Sequence, residues 1–164
     1  MNNKKIPYYK SSEKLLNSIS RLKDNFRNNL TSPTYSIALK EIGFYQYSDG
    51  FLYDNNLNLI LKEEIDPYNI EVSYISAYTA EYLYPSVLHF IETKNGSWAR
   101  SPVNQYRIDS VYLEITEYSA SYVWYDYEEK NDLISFQATS LANLFADIII
   151  QTTKAGYLKF DLIG

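Results

Sequence analysis

Apolar residues Leu15, Ile19, Leu22, Phe26 and Leu30 recur at alternating steps of four and three, which lines one face of a helix. The pattern predicts a helix over 11–30, entered through Ser11 or Ser12 as cap, with Lys14, Arg21, Lys23 and Arg27 on the opposite face. Ser32-Pro33 then pairs a capping residue with a proline at the first helical position. Tyr35, Ala38, Leu39 and Ile42 continue at helical spacing until Gly43, so a short second helix is expected. From Phe44 the period changes. FYQY and FLYD read as two short strands about a turn in which Gly50 takes a positive φ. LNLIL at 57–61 fits a further strand, and Asp66-Pro67 marks a turn. Two periods compete over 70–84: Tyr74, Tyr78 and Tyr82 recur every four residues as on a helix, while Val72, Tyr74 and Ser76 alternate as in a strand.

VLHFIE at 87–92 reads as a strand that stops before Asn95-Gly96. Val111, Leu113 and Ile115 alternate with Tyr112, Glu114 and Thr116, giving a strand with one apolar and one polar face. The segment Tyr122 to Tyr127 is almost all aromatic and reads as a second strand, with DLISF at 132–136 as its neighbour. Thr139 or Ser140 caps the clearest helix, whose stripe is Leu141, Leu144, Phe145, Ile148 and Ile149, with Lys154 in its last turn and Gly156 as its stop. YLKFDLI is expected to form a final strand. Helices, a run of short strands and a closing helix predict a single α+β domain over 1–164, a mainly antiparallel sheet with the N-terminal helices and the C-terminal helix packed on one face.

Composition narrows the chemistry. The 164 residues include no cysteine and one histidine, which removes disulfides, thiolate metal sites and thiol catalysis and leaves imidazole chemistry to His89 alone. Eighteen tyrosines make much of the apolar surface hydroxylated, and each buried hydroxyl needs a partner. The start MNNKKIPYYK lacks the apolar core of a signal peptide and no apolar run approaches a membrane span, so a cytoplasmic protein without membrane contact is expected. The net charge of −5 is uneven: residues 1–40 hold eight bases and two acids, the remainder seven bases and eighteen acids. Residues 109–132 hold seven acids against Lys130, a field that repels nucleic acid and attracts basic surfaces.

Candidate catalytic patterns are weak. The five glycines are scattered, so no phosphate-cradling loop or dinucleotide fingerprint is present. His89 reads as a half-buried strand histidine, since no nucleophile-elbow motif accompanies it. Glu63/Glu64 and Glu128/Glu129 are adjacent, and adjacent strand residues point to opposite faces rather than converging. The tyrosines at 74, 78 and 82 read as packing with wet hydroxyls rather than a ligand-stacking row. The basic face of the first helix reads as solvated charge, because no nucleic-acid motif accompanies it. No enzyme, cofactor or metal is expected.

Acids interleaved with aromatic side chains instead suggest a docking face of Glu114, Glu117, Tyr122, Trp124, Tyr125, Asp126, Tyr127, Glu128 and Glu129. Their other reading is a solubilising surface that keeps sheet edges from pairing. The segments SYVWYDYEEKNDLISFQATSLANLF and TYSIALKEIGFYQYSDGF resemble the SUKH superfamily, whose bacterial members are largely immunity proteins that neutralise polymorphic toxins. The resemblance covers about half of the chain. It implies a binding protein with no catalytic residues to carry over, whose partner is a cognate toxin domain, a basic nuclease being the class that suits the acids. A regulatory or phage-derived adaptor that binds a host protein is the alternative, followed by a small-ligand or carbohydrate-active domain. Monomer and homodimer both remain open.

Overall fold

The computed structural model describes residues 8–47, 50–65, 73–92, 110–126 and 129–157. Helix α1 spans Tyr8–Phe26 and runs into a 3-10 turn at Arg27–Asn29. Ser11 and Ser12 therefore lie within the helix rather than capping it. The predicted apolar stripe of α1 is only partly covered: Leu22 and Phe26 are exposed, and Phe26 makes its contact near the helix end, its ring 5.4 Å from that of Phe51. Lys23 reaches Glu64 at 2.5 Å, which ties the same end of the helix to the turn after β2.

Helix α2, Pro33–Glu41, begins with Ser32 as N-cap and Pro33 in its first turn, as the dipeptide predicts. Ser32 makes no side-chain capping bond; its backbone N–H donates to Asn143 Oδ1 instead. The expected hairpin about SDG is not present. Phe44 to Tyr47 forms no strand, and its polar groups are satisfied side chain to backbone: Ser76 N–H donates to Gln46 Oε1 and Ser76 Oγ to the Tyr47 carbonyl. Strand β1, Phe51–Tyr53, pairs antiparallel with β2, Leu59–Leu61, and on its other edge with β3, Ile75–Ser76. The turn between β1 and β2 is built by Asp54, whose Oδ1 accepts from the backbone N–H groups of Asn56 and Asn58 at 2.8 Å. This turn holds Leu57 at φ 63, a left-handed conformation that costs a branched side chain energy and that the Asp54 bonds offset.

The ambiguous stretch resolves into both periods in succession: β3, then the single helical turn α3, Ala80–Leu83, capped by Thr79 Oγ1 accepting from Tyr82 N–H. Tyr78 lies between them with no exposed surface. Strand β4, Phe90–Glu92, takes only the last part of VLHFIE, and His89 stands before it, exposed rather than half-buried, with its ring 5.0 Å from that of Tyr84. Strands β5 (Ser110–Thr116), β6 (Ser119–Asp126) and β7 (Glu129–Gln137) follow, and helix α4, Leu141–Lys154, closes the described chain with Ser140 Oγ accepting from Asn143 N–H and Gly156 at φ +85 beyond its end. The predicted strand YLKFDLI lies outside the described residues apart from Tyr157.

The fold is α+β with antiparallel strands, but these form two sheets rather than one: β2-β1-β3 and β4-β5-β6-β7. Each has its own apolar centre. Leu30, Tyr53, Leu59 and Ala77 serve the small sheet. The larger core joins Val111, Ala120, Tyr122 and Phe136 of the four-stranded sheet to Leu39 of α2, Leu83 of α3 and Leu144, Ile148 and Ile149 of α4. Helix α4 touches α2, α3 and β7, so it is the element against which the others are organised. Burial of Thr152 on that helix is satisfied by its own hydroxyl, which donates to the Ile148 carbonyl at 2.7 Å.

Candidate protein-binding face

Alternation along β5 separates two environments. Val111, Leu113 and Ile115 belong to the helix-covered core, and Tyr112, Glu114 and Thr116 point the other way. Cross-strand register then places the outer face in rows: Phe90, Tyr112, Val123 and Asp132, of which Val123 is buried; Glu114, Ser121 and Ser135; Thr116, Ser119 and Gln137. Phe90 and Tyr112 are direct partners and are 54% and 59% exposed. Beside them the face is hydroxylated, with Ser121 Oγ 2.9 Å from Ser135 Oγ and Thr116 Oγ1 2.9 Å from Ser119 Oγ. Tyr118, in the turn after β5, is 53% exposed.

Among the proposed acids whose side chains are described, Glu114, Glu117 and Glu129 are spread along the strands. Glu114 accepts from Lys130 Nζ at 2.6 Å, so its charge is matched on the sheet. Glu117 sits in the β5–β6 turn at φ 49, at one end of the strands, whereas Asp126 and Glu129 are paired at the other end. Eight strand residues separate these ends, a length of about 25 Å at the rise of a β-strand. Glu129 and Asp132 are exposed there. Trp124, Tyr125 and Asp126 occupy backbone positions of β6 opposite Asn131, Lys130 and Glu129, while Tyr127 and Glu128 lie outside the described residues.

Tyr122 is a correction to the docking set. It has no exposed surface, lies 6.0 Å from Phe136 in an edge-on ring contact, and donates its hydroxyl to the Leu88 carbonyl at 2.6 Å. Tyr122 lies in phase with Ala120 and opposite Leu113, so ordinary strand alternation turns it toward the helix-covered core. Ile134 opposes Tyr122 and Asp132 opposes Val123, leaving Leu133 as the extra residue of a β-bulge, which breaks simple alternation. Burial raises the Tyr122 phenol above its ordinary range, so it stays neutral and serves as a core donor.

Phe90 was missed as a surface residue because VLHFIE shows no alternation that would separate it from its apolar neighbours. Tyr112 was legible, since it falls on the polar phase of β5. Among the described residues, no group of three His, Asp or Glu side chains is placed to hold a metal ion, and no helix is long and apolar enough to cross a membrane. Glu64 turns back on its own backbone, accepting from Leu61 N–H at 2.8 Å as well as from Lys23. No family model, curated protein or solved structure matches the chain.

Proposed function

We propose that this chain is a non-catalytic binding protein that captures and neutralises a cognate toxin domain through the outer face of its four-stranded sheet. The observation that carries the reading is the paired exposure of Phe90 and Tyr112 on the face turned away from the helices. Rigid aromatic side chains lose little conformational freedom when they are covered, and they anchor protein interfaces better than most residue types. The excess of acids in residues 109–132 selects a basic partner, with a nuclease domain as the class whose phosphate-binding groove best matches carboxylates. Glu117 at one end of the strands and Glu129 at the other act as a rim that steers approach, and the aromatic pair supplies the contact that slows release. The resemblance to the SUKH superfamily agrees with this reading, and a cytoplasmic location suits a protein that protects the cell producing the toxin.

The test is co-expression with the product of the adjacent gene, followed by co-purification and growth of the host. Protection together with a complex that Tyr112→Ala weakens at unchanged folding stability is the expected result. A complex indifferent to Tyr112→Ala and Phe90→Ala, or no protection by the intact protein, overturns it.

A further inference from the structure

A cleft of about 640 Å³ lies on a different part of the molecule, where the end of α1, the start of α2, the β1–β2 turn and the start of α4 meet. Its lining includes Lys23 and Arg27 and no carboxylate, in a chain that carries twenty acids. The nearest acids are already engaged, Glu64 with the cleft's own Lys23. Asp54 points into its own turn, where the Asn58 backbone N–H holds its carboxyl below the usual range, and Glu64 is engaged with Leu61 N–H and Lys23. Arg27 is exposed and has no carboxylate partner among the described residues.

The walls are held before any ligand arrives. Ser32 N–H donates to Asn143 Oδ1 at 2.8 Å across the cleft's two helices, and the Tyr53 hydroxyl donates to the Thr31 carbonyl at 2.8 Å, fixing β1 against the entry to α2. Thr139, Ser140 and Asn58 add neutral hydrogen-bonding groups, while Leu57, 46% exposed, offers apolar surface at the rim. The starts of α2 and α4 border the cleft, and their partial charge has the same sign as that of the side chains.

We propose that this cleft binds a small organic molecule bearing an oxyanion group, with the oxyanion on Arg27 and the uncharged body against Leu57 and Pro33. A planar guanidinium without an internal partner presents two parallel donors to a phosphate or carboxylate, and a concave site with few charges and mixed polar walls suits a ligand of small-metabolite size. The site is independent of the sheet face described above, so it supplies a second ligand or a regulator rather than the protein partner itself.

The experiment is a heteronuclear NMR titration of the full chain with inorganic phosphate, adenosine monophosphate and succinate in separate arms. Saturable shifts at the amides of Arg27, Asn28, Thr139 and Ser140, with a Kd of about 1 mM or tighter in at least one arm, are expected. The phosphate and succinate arms distinguish a phosphoryl from a carboxylate ligand. Arg27→Ala weakens the binding about tenfold with an unchanged thermal midpoint, and Lys130→Ala on the distant sheet leaves it unchanged. Absence of saturation in all three arms, shifts spread over unrelated surface amides, or an unaltered Kd in Arg27→Ala would each overturn the proposal.

Discussion

The carboxamide oxygen of Asn143 accepts the backbone N–H of Ser32 at 2.8 Å, joining two residues 111 positions apart. Asn143 is 7% exposed, and its own N–H is taken by Ser140 Oγ, so one side chain links the start of α2 to the first turn of α4. Asn143→Ala leaves the Ser32 donor without its acceptor and opens space in a packed junction. Destabilisation of about 1–3 kcal/mol in urea unfolding is expected, with Ser140→Ala costing about 1 kcal/mol as the loss of a single cap.

Tyr122 and Tyr112 separate folding from binding. Tyr122→Phe removes the hydroxyl bonded to the Leu88 carbonyl and is expected to cost about 1–2 kcal/mol of stability while leaving the outer face unaltered. Tyr112→Ala removes an exposed ring and is expected to shift stability by less than about 0.5 kcal/mol while weakening partner capture. Chemical denaturation and surface-plasmon measurements on the same two variants check both halves.

The Glu114–Lys130 pair is close but wet, with side chains 40% and 45% exposed. A double-mutant cycle with Glu114→Ala and Lys130→Ala is expected to return a coupling below about 1 kcal/mol that shrinks as salt is added. A coupling that survives high salt would show the pair to be shielded from water.

Alkali is expected to unfold the protein more readily than its single histidine and many carboxylates would suggest. Burial raises the phenols of Tyr47, Tyr78 and Tyr122, with neighbouring tyrosines reinforcing the rise at Tyr47 and Tyr78. A group whose folded pKa lies above its unfolded value contributes its full stability below the unfolded value, about 10 for tyrosine, and loses it as pH climbs toward the folded value. Phenolate absorbance should therefore show these three phenols ionising only with loss of circular dichroism. Smooth ionisation of all of them while the fold persists is the contrary result.

Helices were legible wherever a stripe and a terminator occurred together. Ser140, the apolar face of α4 and Gly156 are all local signals, and the same holds for Ser32-Pro33 at α2. The segment at 44–47 misled because alternation alone does not choose a partner. Its groups are claimed by Ser76 and Ala77 some thirty residues later, through Gln46, the Tyr47 carbonyl and the Tyr47 hydroxyl, which donates to the Ala77 carbonyl. Division of the strands into two sheets was equally hidden, since β1 pairs across the long gap to β3. On the sheet face, alternation revealed Tyr112, whereas the almost wholly aromatic run from Tyr122 to Tyr127 offers no polar phase that would separate the buried Tyr122 from its neighbours. The division of acids between the two ends of the strands follows from register, which composition does not contain.

Helix α4 covers surfaces contributed by strands and helices that precede it in the chain. Among the described residues, Leu39, Leu83, Val111 and Phe136 share one buried cluster with Leu144, Ile148 and Ile149 of α4, the last of its elements to be synthesised. Completion of the principal core therefore waits until α4 has left the ribosome.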